Sequence, residues 1–244
     1  MSRWATASLG AALQVLRKAD RPAILVGPCA RAEARLVSEL ARRLGAAILT
    51  TPDAKSIVDE SSPYSAGVFS FGASDRAIAV ADAADALLAI ATNLGEFATR
   101  GGKAFARAPI VHVTDNPKDV PMGVHPAVSI VGDVEATLRS VVDGLPRRDR
   151  VPLWFDRFCA SEIPADRPSP RGAMHPIDAV RAMGAALPQH ARIACDITSG
   201  ALHLLRTLKL RPNSDSGCRS KRAPAWGARF RPDSGFAWRA TCRR

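Results

Sequence analysis

The residues able to do chemistry follow one another at the ends of apolar runs. Gly27-Pro28-Cys29 closes the run at 23–26, Thr92-Asn93-Leu94-Gly95 the run at 86–91, Asp115-Asn116-Pro117 the run at 110–114, and Gly132-Asp133 the run at 127–131. Ligands of open parallel sheets sit at such strand ends. A carboxylate such as Asp115 accepts hydrogen bonds from ribose hydroxyls, although Asp-Asn-Pro is equally ordinary turn chemistry. Asp133 stands where it can cap a following helix. Gly27-Pro28-Cys29 lacks the GxGxxG spacing of a dinucleotide fingerprint and also reads as a plain strand-end turn. Further along, Asp196-Ile197-Thr198-Ser199 lies between a strand pattern and a helical one. The hydroxyls of Thr198 and Ser199 at a helix N-terminus suit an anion or a cap alike.

Other chemistries find no support in the residues. The five histidines show no ligand spacing, and no Ser-His-Asp or Cys-His set can be assembled. The five cysteines (Cys29, Cys159, Cys195, Cys218, Cys242) are scattered without a CxxC pair, and read as free thiols of a cytosolic protein. Cys195, inside an expected strand, reads as a small buried hydrophobe. No catalytic residue and no metal ligand is assigned.

The elements that must position these residues follow from periodicity. The stretch 21–30, RPAILVGPCA, holds an unbroken apolar run between turn residues, the pattern of a strand buried on both faces. Ala34, Leu36, Val37, Leu40, Ala41 and Leu44 recur at helical spacing, and Gly45 is a C-cap. With the strand at 46–50 they make one βαβ unit, whose right-handed crossover starts a doubly wound sheet. An amphipathic helix at 5–19 precedes it. A helix capped by Ser74 runs to Ala83, strands follow at 86–91, 109–114 and 127–131, and a helix spans 134–142. The stretches 51–64 and 95–108 read as loops, and Gly67–Gly72 as a short apolar patch. Five strands with helices between them imply an α/β fold, a doubly wound, mainly parallel sheet over residues 1–145. Residues 146–172 read as a linker with a short aromatic helix around Trp154, Phe155 and Phe158. Residues 173–210 read as a partial second α/β unit: a helix through Ile177, Val180, Met183 and Leu187, a strand at 191–195, and a helix at 199–210.

Composition bounds the classes. The chain has 244 residues, 47% hydrophobic but only 5% aromatic, so Ala, Val, Leu and Ile must carry the core. No apolar run approaches the ~20 residues that cross a bilayer, and Met1–Gly10 lacks the apolar stretch of a secretory signal. A cytoplasmic location is expected. Residues 211–244 hold nine Lys or Arg and two acids, +7 of the net +11, in sequence without helix or strand period. The basicity belongs to this tail, where disorder is expected. Trp226, Phe230, Phe236 and Trp238 interleave with its arginines, a composition that can stack on and neutralise nucleic acid. A frame-shifted GC-rich reading frame produces the same look, and is preferred.

In order and spacing, RPAILVGPCARAEA, LARRLGAAILTTPDAK, ADALLAIATNLGEFATR, IVHVTDNP and IVGD resemble the central domain of thiamine-diphosphate-dependent enzymes of the acetolactate synthase, pyruvate oxidase and benzoylformate decarboxylase type. MHPIDAVRAMGAALPQHARIACDITSG resembles the start of their C-terminal domain. The likeness spans roughly residues 5–210. It implies a cofactor pair of thiamine diphosphate and Mg2+, bound by flanking domains: the family's first domain, with its activating glutamate, and its GDG motif have no counterpart in this sequence. It places Gly27 against the ADP part of an FAD in flavin-containing relatives, with Cys29 where a glycine is usual. Thr92, Asn93 and Arg100 stand where such relatives contact the dinucleotide. Asp115 and Asn116 fall near a ribose or adenine, Asp133 in the family's GD pair, and Thr198 and Ser199 facing the thiamine diphosphate. The expectation is a fragment of a 2-oxo-acid lyase, decarboxylase or acetolactate-synthase-like protein, without turnover alone. Two alternatives stand beside it. One is a module that binds an adenine nucleotide (FAD or ADP) or docks as a homo-oligomer or on a full-length paralogue. The other is nucleic-acid binding through the tail.

Overall fold

A computed structural model describes residues 3–119, 124–146, 152–158, 173–188, 191, 193, 195 and 199–210. The tail at 211–244 and most of the expected linker lie outside the described residues.

Helix α1 (Arg3–Lys18) leads into strand β1 (Pro22–Val26), helix α2 (Ala34–Leu44) and strand β2 (Ala47–Thr50). Strand β3 (Ser65–Val68), helix α3 (Asp75–Ala83), strand β4 (Ala86–Ile90), a one-turn helix α4 (Glu96–Thr99), strand β5 (Ile110–Thr114), strand β6 (Val128–Val131) and helix α5 (Val134–Gly144) follow. Among the described residues six strands form one sheet in the order β3-β2-β1-β4-β5-β6. All five pairings are parallel. The doubly wound reading holds, with one correction: there are six strands where periodicity gives five. Ser-Ala-Gly-Val is short, sits at the sheet edge and alternates in burial, so it lacks the apolar run that marks a central strand. The expected loop 95–108 also contains α4.

Two apolar layers cover the sheet. Ile24, Val26, Leu88, Ile90, Val111 and Val113 face α1, α2 and α5, which contribute Leu16, Leu40 and Leu138 among others. Ala23, Leu25, Leu49, Leu87 and Ala89 face α3 and the segment 94–108, which contribute Val80, Leu94 and Phe105. The helix ends are closed by sequence-local chemistry. Gly45 takes the left-handed conformation at φ 65° that ends α2. Ser74 and Asp133 accept from the amides of Ala77 and Ala136 as N-caps. The last carbonyls of α5 are met from afar: Arg17 donates to Gly144, and Arg43 to Val142 and Leu145.

Residues 152–158 also belong to this core. Phe155 is fully buried in the second apolar layer, and the Trp154 indole N–H donates to the Pro22 carbonyl at 3.2 Å.

Beyond it, helix α6 (Pro176–Ala186) packs on helix α7 (Ser199–Thr207), and α7 reaches β3. Residues 191, 193 and 195 carry no strand, contrary to the expectation for 191–195, and Cys195 is exposed where a buried thiol is expected. No helix among the described residues is long and apolar enough to cross a membrane.

Candidate functional site

In the order 3-2-1-4-5-6 the chain reverses direction between β1 and β4, and the crevice of such a sheet opens at the carboxyl ends of those strands. Gly27 and Thr92 meet there. The Gly27 amide donates to the Ile90 carbonyl at 2.8 Å. A Cβ on Gly27 would press into the Ala91 carbonyl oxygen and lie 2.7 Å from the Thr92 Cα. Glycine is therefore required by backbone-to-backbone contact across the switch point. Cys29, two residues on, is exposed in a three-residue 3-10 turn.

The β4 end is strained. Ala91 and Leu94 both hold left-handed backbone, at φ 48° and 47°, on either side of Thr92-Asn93. Non-glycine residues adopt this region at a cost, and such strain collects at functional sites. The loop's own side chains hold it in place. Thr92 is buried and its hydroxyl accepts from the Leu94 amide; the exposed Asn93 accepts from the Gly95 amide at 3.1 Å. His112, wholly buried on β5, hydrogen-bonds through Nε2 to the Thr92 carbonyl at 2.7 Å, while its Nδ1 is buried without a partner. Burial lowers the His112 pKa against the opposing pull of that carbonyl and of Asp119. The neutral imidazole donating from Nε2 fits these facts. Arg100, half-buried, closes α4 at φ 51° and lies beyond this loop.

At β5 and β6 the expected site residues are likewise drawn into turns. Asn116 accepts from the Lys118 amide and donates its own amide to the Thr114 hydroxyl. Asp115 is exposed, and Asp133 caps α5. Ser199 is exposed at the head of α7, far along the chain from these strand ends, and Thr198 lies outside the described residues.

Glu33 is the residue that pattern reading overlooks. It precedes α2 in the N-cap position, its side chain makes no cap hydrogen bond, and Oε2 is buried without a partner. Its pKa is raised, first by burial and then by the nearby carboxylates of Glu135, Asp115 and Asp133, against a lowering backbone hydrogen bond. The N-terminus of α2 is where a phosphate would sit in a fold of this type. An acidic residue stands at that helix end. A cavity of about 300 Å3 between Ala84, Lys103 and Arg107 lies at the opposite, amino-terminal end of the strands, away from this crevice.

The fold is thus a doubly wound α/β domain whose topological switch point lies between β1 and β4. Residues 9–141 match the family model for the thiamine pyrophosphate enzyme, central domain, and the chain belongs to that family. A search of curated proteins finds no match.

Thiamine diphosphate and Mg2+, which the family implies, need a diphosphate cradle and a cluster of hard oxygen ligands. Among the described residues no group of three or more His, Cys, Asp or Glu converges as a metal set. The residues expected to face that cofactor lie largely outside the described ones, and no chemical step is derived through it.

Proposed function

We propose that this chain supplies the central domain of a thiamine-diphosphate-dependent 2-oxo-acid lyase, decarboxylase or acetolactate-synthase-like assembly, and that it has no turnover by itself. The observation that carries this reading is the self-contained state of the strand ends. Thr92, Asn93, Asn116 and Asp133 each spend a side-chain oxygen on a neighbouring backbone amide. Such side chains fix a scaffold rather than stand ready to drive bond cleavage. Thiamine diphosphate, Mg2+ and the acid–base groups then come from the flanking domains of a full-length paralogue, on which this chain docks. The exposed edge-to-face pair Phe71–Phe97, ring centroids 5.4 Å apart, supports such association. The test is decarboxylation and carboligation of pyruvate and benzoylformate by the purified chain with thiamine diphosphate and Mg2+. No rate above background is expected, and clear turnover would overturn the reading.

A second reading rests on the acidic crevice. Glu33, Asp115 and Asp133 suit the ribose of an adenine nucleotide, FAD or ADP included. Calorimetry with adenosine and ADP, together with flavin absorbance of the purified protein, checks it. Adenosine should bind at least as well as ADP, because the carboxylates oppose the diphosphate; no heat with either ligand and no flavin would end this reading.

A further inference from the structure

The loop between β2 and β3 contains a buried ion pair that neither the fold nor the crevice uses. The side chains of Lys55 and Glu60 are only 2% and 5% exposed, with Nζ 2.9 and 2.7 Å from the two carboxylate oxygens. Burying two charges is expensive unless their remaining hydrogen-bonding capacity is met. Here it is met largely by residues 150 positions away in the chain. The Lys55 ammonium also lies 3.5 Å from the Leu205 carbonyl, one of the carbonyls left open at the end of α7. The Glu60 carboxylate accepts from the Leu210 amide at 2.9 Å, and the Glu60 amide donates to the Leu210 carbonyl at 3.1 Å.

The cation thus caps a helix C-terminus, where positive charge is favoured. The anion and its own backbone grip the residues just past that helix. Apolar contact adds to the grip: Leu204 and Leu208 are buried, and the Leu202 side chain lies over Gly72.

We propose that Lys55 and Glu60 form a lock that fixes the segment 199–210 against the β3 edge of the sheet, and that this segment comes away as a unit when the lock is opened. Detachment returns both charges to water, so closure depends on the directed bonds to Leu205 and Leu210 as much as on buried area. A segment attached in this way can leave without unfolding the sheet it covers.

Hydrogen exchange on the full chain, read by mass spectrometry, tests this with Glu60→Gln and Leu210→Pro. Glu60→Gln leaves the Lys55 charge without its partner. Leu210→Pro removes one amide donor while sparing the buried pair and every strand. In both variants the amides of α7 should exchange at least about ten-fold faster, the scale expected for losing one hydrogen bond to a charged group. In Leu210→Pro the amides of β1 and β4 should keep their wild-type rates. Wild-type exchange of α7 in Leu210→Pro would overturn the proposal, and so would equal acceleration of α7 and the central strands in that variant. Should Glu60→Gln unfold the whole protein, Leu210→Pro still decides.

Discussion

The sheet domain and the α6–α7 pair use similar residues and are held by different forces. In the domain, β1, β4 and β5 are buried at every position, and α2 buries Val37, Leu40, Ala41 and Leu44. In the pair, α6 buries Ile177 alone, α7 buries Ala201 and Leu204, and Met174 and Leu202 stand 67% and 43% exposed. Periodicity looks alike in both. The difference lies in what faces the apolar stripe: two covered layers in one case, a single helix and a sheet edge in the other. An amphipathic pattern states that a helix wants a partner; the fold decides whether one is there.

Mutations at matched leucines should widen this contrast most. Leu88→Ala, at the centre of the sheet, is expected to cost about 2–5 kcal/mol in denaturant unfolding. Leu204→Ala should shift that same transition by less than about 0.5 kcal/mol while speeding proteolysis of 199–210, since local and global opening are separate events there. Equal shifts would erase the distinction between the two regions. A finer probe is the N-cap of α5. Asp133→Ala should cost roughly 1 kcal/mol, measured as a shift in urea midpoint at constant slope.

The smallest effect concerns pH. His112 is held neutral in the fold with its pKa below 6.5, whereas in the unfolded chain it titrates near that value. Below pH 6.5 the unfolded state therefore binds the extra proton, and stability falls as the pH drops toward the lowered folded pKa. Thermal melts between about pH 7 and pH 5 should show this fall. It should be shallower in His112→Gln, whose amide can still donate to the Thr92 carbonyl.

Much of the sheet domain was legible because its rules are local. Unbroken apolar runs mark strands buried on both faces, Gly45 and Ser74 mark helix ends, and Asp133 reads as a cap. The edge strand β3 escaped because Ser65-Ala66-Gly67-Val68 is half polar and pairs on one side only. The candidate site was legible as positions and not as an arrangement. Gly27, Thr92 and Asp115 were found at strand ends. The strain at Ala91 and Leu94 and the buried oxygen of Glu33 depend on neighbours that no spacing reveals. Lys55 and Glu60 read as ordinary loop charges, since their partners at 205 and 210 come from the far end of the chain.

The anchoring of Trp154 to Pro22 bears on where this domain stops as a cooperative unit. The family match closes at residue 141 and the last strand-flanking helix at Gly144. A chain cut at either point would empty the socket that Phe155 fills and strip an indole from the entry to the first strand. Even the longer product, ending at Gly144, would carry every strand and helix of the sheet and still lack its final wedge. The second apolar layer of the sheet thus takes in Phe155 and, partly buried, Phe158.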